Sequence, residues 1–470
     1  MAKDKTMTLI NERVIFSIII FIFIAIRLSE YFQTEYFVIW FDSAQYAATS
    51  LAPIWSKLFW ADGVPPLYPF FLKYFTHLSD TSVLNFLSIF SYQPDIVKGI
   101  ELLDDYPFFL VKDNFNVIAA SLFQLVLSIF SSVILAISFS TVFNDFKIKL
   151  TSLLFILFLG LESSIVIWDK HIITESISIS VLLLTVSLLI HINLITRKTV
   201  FLILFILMLI FISFLKITNN YFLLILIPFF LYHFYNSHFQ HKLNYGLIIA
   251  TLLTLFSLNQ FMLFSGDRTN VPMKDLISSR ISSEGYEDIY EYFRNNGMPE
   301  LAPEVIGKLW TAPFEKYPEL QEWWLNNSSK TYQKYLITHP SYFFIRPFQY
   351  TNQYNKAVYF YLTPDLHFHE QVVTKKIQII FTDLFLWVIT SIVLLMIIYI
   401  TSLKIPIEKN KIMLPIFILF AGAILYLIIW HADLGELDRH LIQCAVMIRV
   451  GLIMTFMYLI NTLLNSRNLD

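Results

Sequence analysis

The sequence predicts an all-α integral membrane protein with about ten transmembrane helices, and composition is the first reason. The chain has 470 residues, of which 56% are hydrophobic and 14% are charged, and its mean hydropathy is +0.62. Soluble domains carry about a quarter charged residues. Several apolar runs approach or exceed the roughly 20 residues that a helix needs to cross a bilayer. The net charge of −2 and the lack of a basic patch in the sequence argue against a nucleic-acid partner.

Ten apolar segments are interpreted as membrane spans. The first follows basic residues, and no small-x-small cleavage site comes after it, which favours a membrane helix over a cleaved signal peptide. The short fifth and sixth segments are compatible either with two spans or with one broken hairpin. The single cysteine, Cys444, is expected to be a small buried hydrophobic residue in the last span. The predicted spans are residues 14–32, 117–142, 150–167, 173–194, 200–215, 221–236, 245–264, 377–401, 413–431 and 441–464.

The distribution of lysine and arginine between the loops predicts the orientation in the membrane. Short loops on one side hold one such residue apiece, namely Lys170, Lys216 and Arg439. Positive residues collect on the cytoplasmic side. We therefore expect the side with few lysines and arginines to be extracytoplasmic, and both termini to lie on the cytoplasmic side of the inner (plasma) membrane. The residues on the predicted cytoplasmic side are Lys3, Lys5, Arg13, Lys147, Lys149, Arg197, Lys198, Lys242, Lys404, Lys409, Lys411 and Arg467.

Two long segments on the predicted outer side divide the chain into three parts. Residues 1–264 form a membrane module with spans one to seven, in which the first outer loop, 33–116, is expected to form surface helices. Residues 265–376 have an ordinary soluble composition and are expected to form a mostly helical extracytoplasmic domain. Residues 377–470 hold spans eight to ten. Within the outer domain, "SSEGYEDIYEYFRNNG" and "SSKTYQKYLITHPSYF" are typical of helices ended by glycine and proline.

Ionisable residues gather at the outer ends of the predicted spans. Charge at membrane depth is costly, so such residues are functional candidates. Asp383 and Arg449 lie about two turns inside their spans, and we expect them to form a structural pair. A transporter more often places charges near the midplane, so clustering at the outer face favours chemistry on a substrate held at the interface. The clustered residues are Glu162, Asp169, Lys170, His171, Glu175, Lys216, His431, Asp433, Glu436, Asp438, Arg439 and His440.

The stretch "WFDSAQYAATS" places Asp42 where the chain leaves the first predicted span. Asp-Ser-Ala-Gln has the spacing of a capping box, with Asp42 as the N-cap and Gln45 reaching back to it. Asp42 is also a candidate general base, since a helix N-terminus keeps a carboxylate ionised and an ionised carboxylate can accept a proton from a hydroxyl. The two roles are compatible.

Four motifs occur in a defined order along the chain. Asp42 with "QYAATS" and "ADGVPPLYPFFLKYF" comes first, followed by "IITESISIS", then "FLKITNNYF" and finally "GELDRHLIQ". Together they resemble the GT-C superfamily of membrane glycosyltransferases, and most of all the branch of protein O-mannosyltransferases and bacterial aminoarabinose transferases. The resemblance covers approximately residues 1–235 and one late helix end. The sequence departs from that pattern at Ser43 (commonly acidic), at Lys216 (commonly Arg), at His440 (commonly Tyr) and in the position of the outer domain.

The resemblance implies an inverting transfer of a sugar from a polyprenyl-phosphate donor to an extracytoplasmic acceptor hydroxyl. The acceptor would be a lipid-linked glycan, lipid A, a cell-surface polymer or a protein. Asp42 is then the candidate base. Lys216, Arg439 and His440 are candidates for holding the departing phosphate, because preorganised positive charge at a developing anion is often the largest catalytic term. Both cations are equally compatible with snorkelling at span ends, and His440 with a structural role.

Four further residues, Tyr46, Asp169, His171 and Glu175, are candidates for orienting the substrate. Glu175 equally suits a purely structural position at a helix N-terminus, and Tyr46 suits an aromatic belt. Asp169, Glu175 and Asp42 together could bind a divalent metal. Because the branch that the sequence resembles mostly works without one, we predict no metal and no other cofactor. "DLHFHE", residues 365–370, is expected to be a surface loop because further metal ligands are lacking in its sequence.

The sequence leaves two other functions open. An O-antigen-type polysaccharide polymerase or ligase also has many spans and one large late outer loop. Such an enzyme would depend on Arg280, Arg294 or Arg346 rather than on Asp42. A non-enzymatic transporter of lipid-linked glycans would need polar residues deep in its spans and would tolerate loss of Asp42.

Overall fold

The structure of the chain is a computed structural model that describes most of its residues. Asp42, the segment 365–370 and Asp383 lie outside the described residues. The described residues are 2–33, 37–40, 46, 49, 53, 65–75, 108–111, 115–195, 199–216, 218–236, 239–265, 271–303, 305–306, 316–362, 384–403, 408–432 and 437–467.

Helices dominate the described chain, as the sequence predicts. The first elements are α1 Ala2–Gln33, β1 Phe37–Trp40, α2 Leu67–Phe75, β2 Phe108–Val111, α3 Phe115–Ser140, α4 Phe146–Gly160, α5 Ser163–Val166 with a 3-10 turn Ile167–Lys170, α6 Thr174–Ile190 with a π turn His191–Ile195, α7 Thr199–Leu215, α8 Asn219–Asn236 and α9 Phe239–Ser265. The later elements are α10 Val271–Asp275 with a π turn Leu276–Ile281, α11 Glu287–Asn295, α12 Pro318–Trp323 with a π turn Trp324–Ser328, α13 Ser329–Thr338, α14 Pro340–Leu362, α15 Leu384–Ser402, α16 Lys409–Ala432 and α17 Leu437–Arg467.

Seven helices of the described chain are long and apolar enough to cross a membrane, which supports a multi-pass membrane protein. An eighth span results if the helical segments 146–160 and 164–170 are counted together. The helix α7 is apolar but shorter. The seven segments are Asn11–Phe32, Ile118–Ser140, Thr174–Leu194, His241–Met262, Leu384–Ser402, Lys411–Ala432 and Arg439–Ser466.

The predicted span 150–167 is not one straight helix. The helix α4 ends at Gly160, and the chain turns by 60° before it continues towards Lys170. Gly160 lies against α3, where an added Cβ would be 3.0 Å from the Oγ of Ser132. Its carbonyl accepts a hydrogen bond from Arg27 of α1. A side chain therefore satisfies a carbonyl that has no partner within the helix end, and the helix stops there.

The last two helices, α16 and α17, pack closely along their length. Two glycines make this approach possible. A Cβ added to Gly422 would lie 2.9 Å from the backbone nitrogen of Ile448, and one added to Gly451 would lie 2.5 Å from that of Leu419. Small residues at such crossings let two backbones approach. Because α17 is almost entirely buried, it is the central helix of the bundle.

The described parts of the first loop contain a strand pair that the sequence did not predict. The strands β1 and β2 pair antiparallel, with Phe37 opposite Val111, so the two ends of the loop meet. The helix α2 lies between them in the chain. Its Tyr68 and Leu72 are buried in the bundle, so the expected location of this helix on the surface is not confirmed. Its apolar face packs on α3 through a Phe71–Phe123 ring contact with centroids 4.6 Å apart.

The two helices predicted between spans seven and eight are present. The helix α11 ends just before Gly297, whose φ of 88° is favoured by glycine. The helix α13 ends at Thr338, two residues before Pro340, which cannot continue a helix without losing a hydrogen bond. Both stops follow the glycine and proline signals of the sequence.

The unit formed by α10–α14 is attached to the end of α16. The guanidinium of Arg280 donates to the carbonyl of Trp430 at 2.8 Å and lies 3.8 Å from its ring centroid. The Nε2 of His431 donates to the carbonyl of Phe343 at 2.9 Å, and its Nδ1 is 2.9 Å from the hydroxyl of Tyr332. These contacts fix the unit against the membrane helix that leads into α17.

Candidate functional site

Buried charged side chains collect at one end of the helical bundle, which we call the site end. There α1 and α7 end, and α3, α6, α8 and α17 begin. Glu175, Lys216, Arg439 and His440 lie together at this end, and we call these four residues the charge cluster. Three separate regions of the chain supply its members. The sequence predicted each member as a site residue, and the structure brings them together.

Glu175 lies at the centre of the charge cluster. It is in the first turn of α6, where the helix dipole stabilises a carboxylate, and it is fully buried. Its Oε1 is 2.6 Å from the Nζ of Lys216, and its Oε2 is 3.7 Å from the Nη1 of Arg439. Oε2 also accepts a hydrogen bond from Thr174 at 3.3 Å. One carboxylate is therefore shared between two cations.

The two cations stand at helix ends of opposite polarity. Lys216 follows the last residue of α7, where the C-terminal end of the dipole favours a cation. Arg439 is in the first turn of α17, where the dipole opposes a cation, so Glu175 supplies the compensating negative charge. The Nη2 of Arg439 lies 3.1 Å from the Nε2 of His440.

Both cations of the charge cluster are buried. Lys216 is 7% exposed and Arg439 is 2% exposed, so little water screens them. Buried charge is costly unless it is compensated. Among the described residues, the carboxylate of Glu175 contacts both cations and compensates part of their charge.

Two buried amides lie close to the cations along the chain. Asn220 comes four residues after Lys216 and Gln443 four residues after Arg439, and both side chains are buried. Within the described part of the chain, the Oδ1 and Nδ2 atoms of Asn220 and the Nε2 atom of Gln443 have no hydrogen-bond partner. A buried donor left unsatisfied costs about 1–3 kcal/mol. Both amides are therefore available to hydrogen-bond a ligand that reaches the charge cluster.

Asp169 belongs to a second buried network. It pairs with Arg27 of α1, which also donates to the Oγ of Ser128 at 2.9 Å. The other carboxylate oxygen of Asp169 accepts from Ser176 at 3.0 Å. This network joins α1, α3 and α6 beneath the charge cluster. The role of Asp169 in orienting a substrate stays a prediction, and its observed contacts are to the protein.

His171 lies between Asp169 and Glu175 in the sequence and is buried. The Nε2 of Gln124 donates to its backbone carbonyl at 2.8 Å, and its ring packs edge-on to Trp168 with centroids 5.0 Å apart. Burial lowers the pKa of His171 to about 3; the carboxylate of Glu175 opposes this shift and the positive charge of Arg439 adds to it. The ring is therefore neutral at physiological pH.

Tyr46 is the first described residue that follows Asp42 in the sequence. Its ring meets that of Tyr68 edge-on, with centroids 5.1 Å apart. The hydroxyl of Tyr68 donates to the Oε1 of Gln124 at 3.0 Å, and burial raises the pKa of Tyr68 well above its usual value. This chain of contacts attaches the start of the first loop to the site end. Asp42 itself lies outside the described residues.

Arg449 of α17 pairs with the bend that follows α4, and its predicted pairing with Asp383 stays a prediction. Its Nη1 lies 3.1 Å from the Oε2 of Glu162 and 3.2 Å from the Oγ of Ser164. Both partners are at the bend that follows α4. Because α17 is central, its Arg449 faces this bend, and the broken helix supplies the carboxylate. Asp383 lies outside the described residues.

The three arginines of the alternative late-loop hypothesis all contact protein groups. Arg280 is buried against Trp430. Arg294 donates to the carbonyl of Met298 at 2.8 Å. Arg346 donates to the carbonyl of Gly285 at 2.9 Å.

Sequence reasoning missed the buried polar residues of α1 and α3. Arg27 stands within the first apolar run, and Ser121, Gln124 and Ser128 follow one another at spacings of three and four residues. That spacing places them on one face of a helix, which was the available signal. Among the described residues, no group of three His, Cys, Asp or Glu side chains could hold a metal ion.

Comparison with known proteins gives no relative. No protein-family model, no curated protein and no solved structure matches this chain. The functional interpretation therefore depends on the geometry of the site end and on the motifs of the sequence.

Proposed function

We propose that this chain is an inverting glycosyltransferase that moves a sugar from a polyprenyl-phosphate donor to an acceptor hydroxyl outside the cytoplasm. The observation that carries the proposal is the charge cluster. Lys216 and Arg439 come from helices far apart in the sequence and both approach the single carboxylate of Glu175. Two buried cations at one end of the helical bundle suit the phosphate of a membrane-bound donor.

The charge on that phosphate changes during the proposed reaction. A polyprenyl-phosphate sugar is a phosphodiester with one negative charge, and the departing polyprenyl phosphate is a monoester that gains a second. Only interactions that strengthen in the transition state accelerate a reaction. The positive charges of Lys216 and Arg439 stabilise the developing charge more than the initial one. The amides of Asn220 and Gln443 would hydrogen-bond the phosphate oxygens.

The proposed reaction is a single displacement at the anomeric carbon. The acceptor oxygen forms a bond to the anomeric carbon from the face opposite the phosphate, while the carbon–oxygen bond to the phosphate breaks. The hydroxyl proton passes to the carboxylate of Asp42, and polyprenyl phosphate leaves with the bonding electron pair. Four residues of extended chain reach at most about 14 Å, so the proposal requires Asp42 to act within that distance of Tyr46.

The proposal includes the topology that this chemistry needs. Ten spans with both termini in the cytoplasm would place the site end at the extracytoplasmic interface of the inner membrane. The polyprenyl tail of the donor would lie in lipid beside the apolar helices, and its head group would reach the charge cluster. His171 and Tyr46 would line the sugar side of the site, and Glu175 would hold the two cations in position.

A transfer assay tests the proposal. Purified chain in lipid vesicles is given radiolabelled polyprenyl-phosphate sugars and a membrane extract of acceptors, and incorporation is measured. We expect Arg439→Gln to lower the rate by about 10²–10³-fold, as removal of one anion-stabilising donor does, whereas Lys216→Arg keeps the charge and much of the rate. The matched control is Arg294→Gln, which removes a partly exposed arginine of the later unit.

Each result separates the candidate functions. Loss of transfer in a folded Arg439→Gln variant with a normal Arg294→Gln variant supports the proposal. Transfer that depends on Arg294 and tolerates Arg439→Gln would favour the polymerase or ligase. Movement of lipid-linked glycan across the vesicle membrane without transfer would favour the transporter.

A further inference from the structure

A concave site lies in the unit formed by α10–α14, and none of its lining residues belongs to the charge cluster. It is a cleft of about 650 Å³ between α11 and the helices α13 and α14. Ligand sites for small molecules span about 300–1,000 Å³. We propose that this cleft binds a neutral oligosaccharide.

The wall of the cleft is a continuous set of aromatic rings. Tyr335 packs edge-on against Tyr292 and Tyr342, with centroids 5.1 Å apart in each pair. The ring of His339 stacks on Tyr335 at 4.2 Å, and Tyr286 meets Tyr342 edge-on at 6.5 Å. Rings that are already packed lose little freedom when a ligand arrives. Tyr286 and Tyr292 are only partly buried, and their flat apolar rings suit the carbon–hydrogen face of a pyranose ring.

The rim of the cleft is polar and exposed. Asp288 and Glu291 lie on the exposed side of α11, and Asn295 and Gln349 add amide groups. Carboxylates accept hydrogen bonds, whereas amides both accept and donate. This mixture matches the hydroxyls of a sugar, each of which can donate and accept. Ile289 and Ile345 are the aliphatic side chains among the described lining residues, too few for a mainly apolar ligand.

The charge of the lining disfavours an anionic ligand. Two carboxylates stand against one cation, Arg346, and this guanidinium is already held by the carbonyl of Gly285 at 2.9 Å and lies 5.2 Å from the ring centroid of Tyr286. A phosphate or a uronic acid would meet net negative charge here, in contrast to the charge cluster. The ligand class is therefore a neutral saccharide.

The floor of the cleft touches the membrane bundle. The ring of Tyr342 lies 6.1 Å from that of Trp430 and 6.0 Å from that of His431, both in the last turns of α16. The chain that follows α16 leads to Arg439. A saccharide in the cleft would thus be held near the site end. Its assignment as the acceptor glycan rests on the proposed function, whereas its binding does not.

Binding is tested on the full-length chain in detergent micelles or nanodiscs, without any donor. The probes are neutral gluco-, manno- and chito-oligosaccharides of graded length, with an oligogalacturonate and a tyrosine-rich peptide for comparison. Saturation-transfer NMR and calorimetry measure contact and affinity. We expect at least one neutral oligosaccharide to bind saturably. Tyr292→Ala and Asp288→Asn should each weaken it by tenfold or more, and Tyr290→Ala on the same helix but outside the cleft should leave it unchanged.

The outcomes decide the proposal. The exposed Asp288→Asn change keeps the test valid if Tyr292→Ala fails to fold. Absence of neutral-saccharide binding, binding of only the anionic glycan or the peptide, or saccharide binding unaffected by Asp288→Asn would each overturn it. If transfer fails while saccharide binding responds to these variants, the proposed function falls and the cleft stands. If transfer succeeds without such binding, the cleft proposal alone falls.

Discussion

Neutralising Glu175 is the sharpest test of the charge cluster as a structural unit. The variant Glu175→Gln keeps the shape of the side chain and leaves Lys216 and Arg439 buried without their shared counter-charge. At an effective dielectric constant of about 20, Coulomb's law gives about 6 kcal/mol of attraction for the 2.6 Å contact and about 4 kcal/mol for the 3.7 Å contact. Loss of one partner of a buried pair typically costs about 3–5 kcal/mol net.

The second variant, Glu175→Gln with Lys216→Met, removes one of the stranded cations. We expect it to be more stable than Glu175→Gln alone, because the two changes act on the same contact and are not additive. Equilibrium unfolding in mixed detergent micelles measures the free energies, and Lys216→Met alone completes the cycle. A free energy of unfolding for Glu175→Gln within about 1 kcal/mol of the wild type, or strict additivity of the two changes, would refute this reasoning.

Three further predictions concern other parts of the bundle. The pKa of His171 is about 3 in the folded chain, below its unfolded value of 6.5. The free energy of unfolding should therefore fall by about 1.4 kcal/mol per pH unit as the pH drops below 6.5. His171→Gln should lose this slope in acid unfolding curves, and an unchanged slope would contradict the burial of a neutral His171. Gly451→Ala should lower the free energy of unfolding by about 1–3 kcal/mol, because the added Cβ overpacks against α16. The control Gly246→Ala should change it little, because its added Cβ has its nearest neighbour at 3.5 Å. Equal shifts of the melting temperature in the two variants would refute the close crossing of α16 and α17. Arg449→Leu should lower the free energy of unfolding by about 3–5 kcal/mol, because it leaves Glu162 buried without this partner. The double variant Arg449→Leu with Glu162→Leu should recover part of this loss in the same assay. No recovery would show that the pair does not form.

The sequence identified the separate parts of the site end better than their arrangement. Hydropathy placed a helix at 117–142, close to the observed Phe115–Ser140, because length and apolarity are local properties. Glu175, Lys216 and Arg439 were each singled out because they are charges at the ends of apolar runs. Their convergence could not be read from one sequence, since the order of helices along the chain does not specify which helices are neighbours in the bundle.

The features that sequence reasoning missed have the same physical origin. The contact of Arg449 with Glu162 joins segments far apart in the sequence, and depth in the membrane alone does not specify it. At the break after Gly160, the carbonyl of Gly160 accepts from Arg27 of another helix, a contact that the local sequence does not specify. The strands β1 and β2 pair although they are far apart in the sequence. Local sequence patterns do not predict such a non-local pairing.

The charge cluster and the aromatic cleft differ in a way that suits two substrates. The charge cluster holds two cations, Lys216 and Arg439, that are buried among membrane helices. The cleft has excess negative charge and an exposed rim. Under the proposed function, the first would hold the donor phosphate and the second would hold the acceptor glycan, and the end of α16 contacts the floor of the cleft and leads on to Arg439.

One measurement tests the central claim most directly. Wild type and Asp42→Asn are reconstituted in lipid vesicles and supplied with the panel of labelled polyprenyl-phosphate sugars, and both sugar incorporation and release of polyprenyl phosphate are followed. The account predicts equal amounts of the two products in the wild type, and a loss of about 10²–10⁴-fold in the folded Asp42→Asn variant, the typical contribution of a general base. Transfer at the wild-type rate in Asp42→Asn would contradict the assigned base, and no transfer from any donor by the wild type would contradict the glycosyltransferase itself.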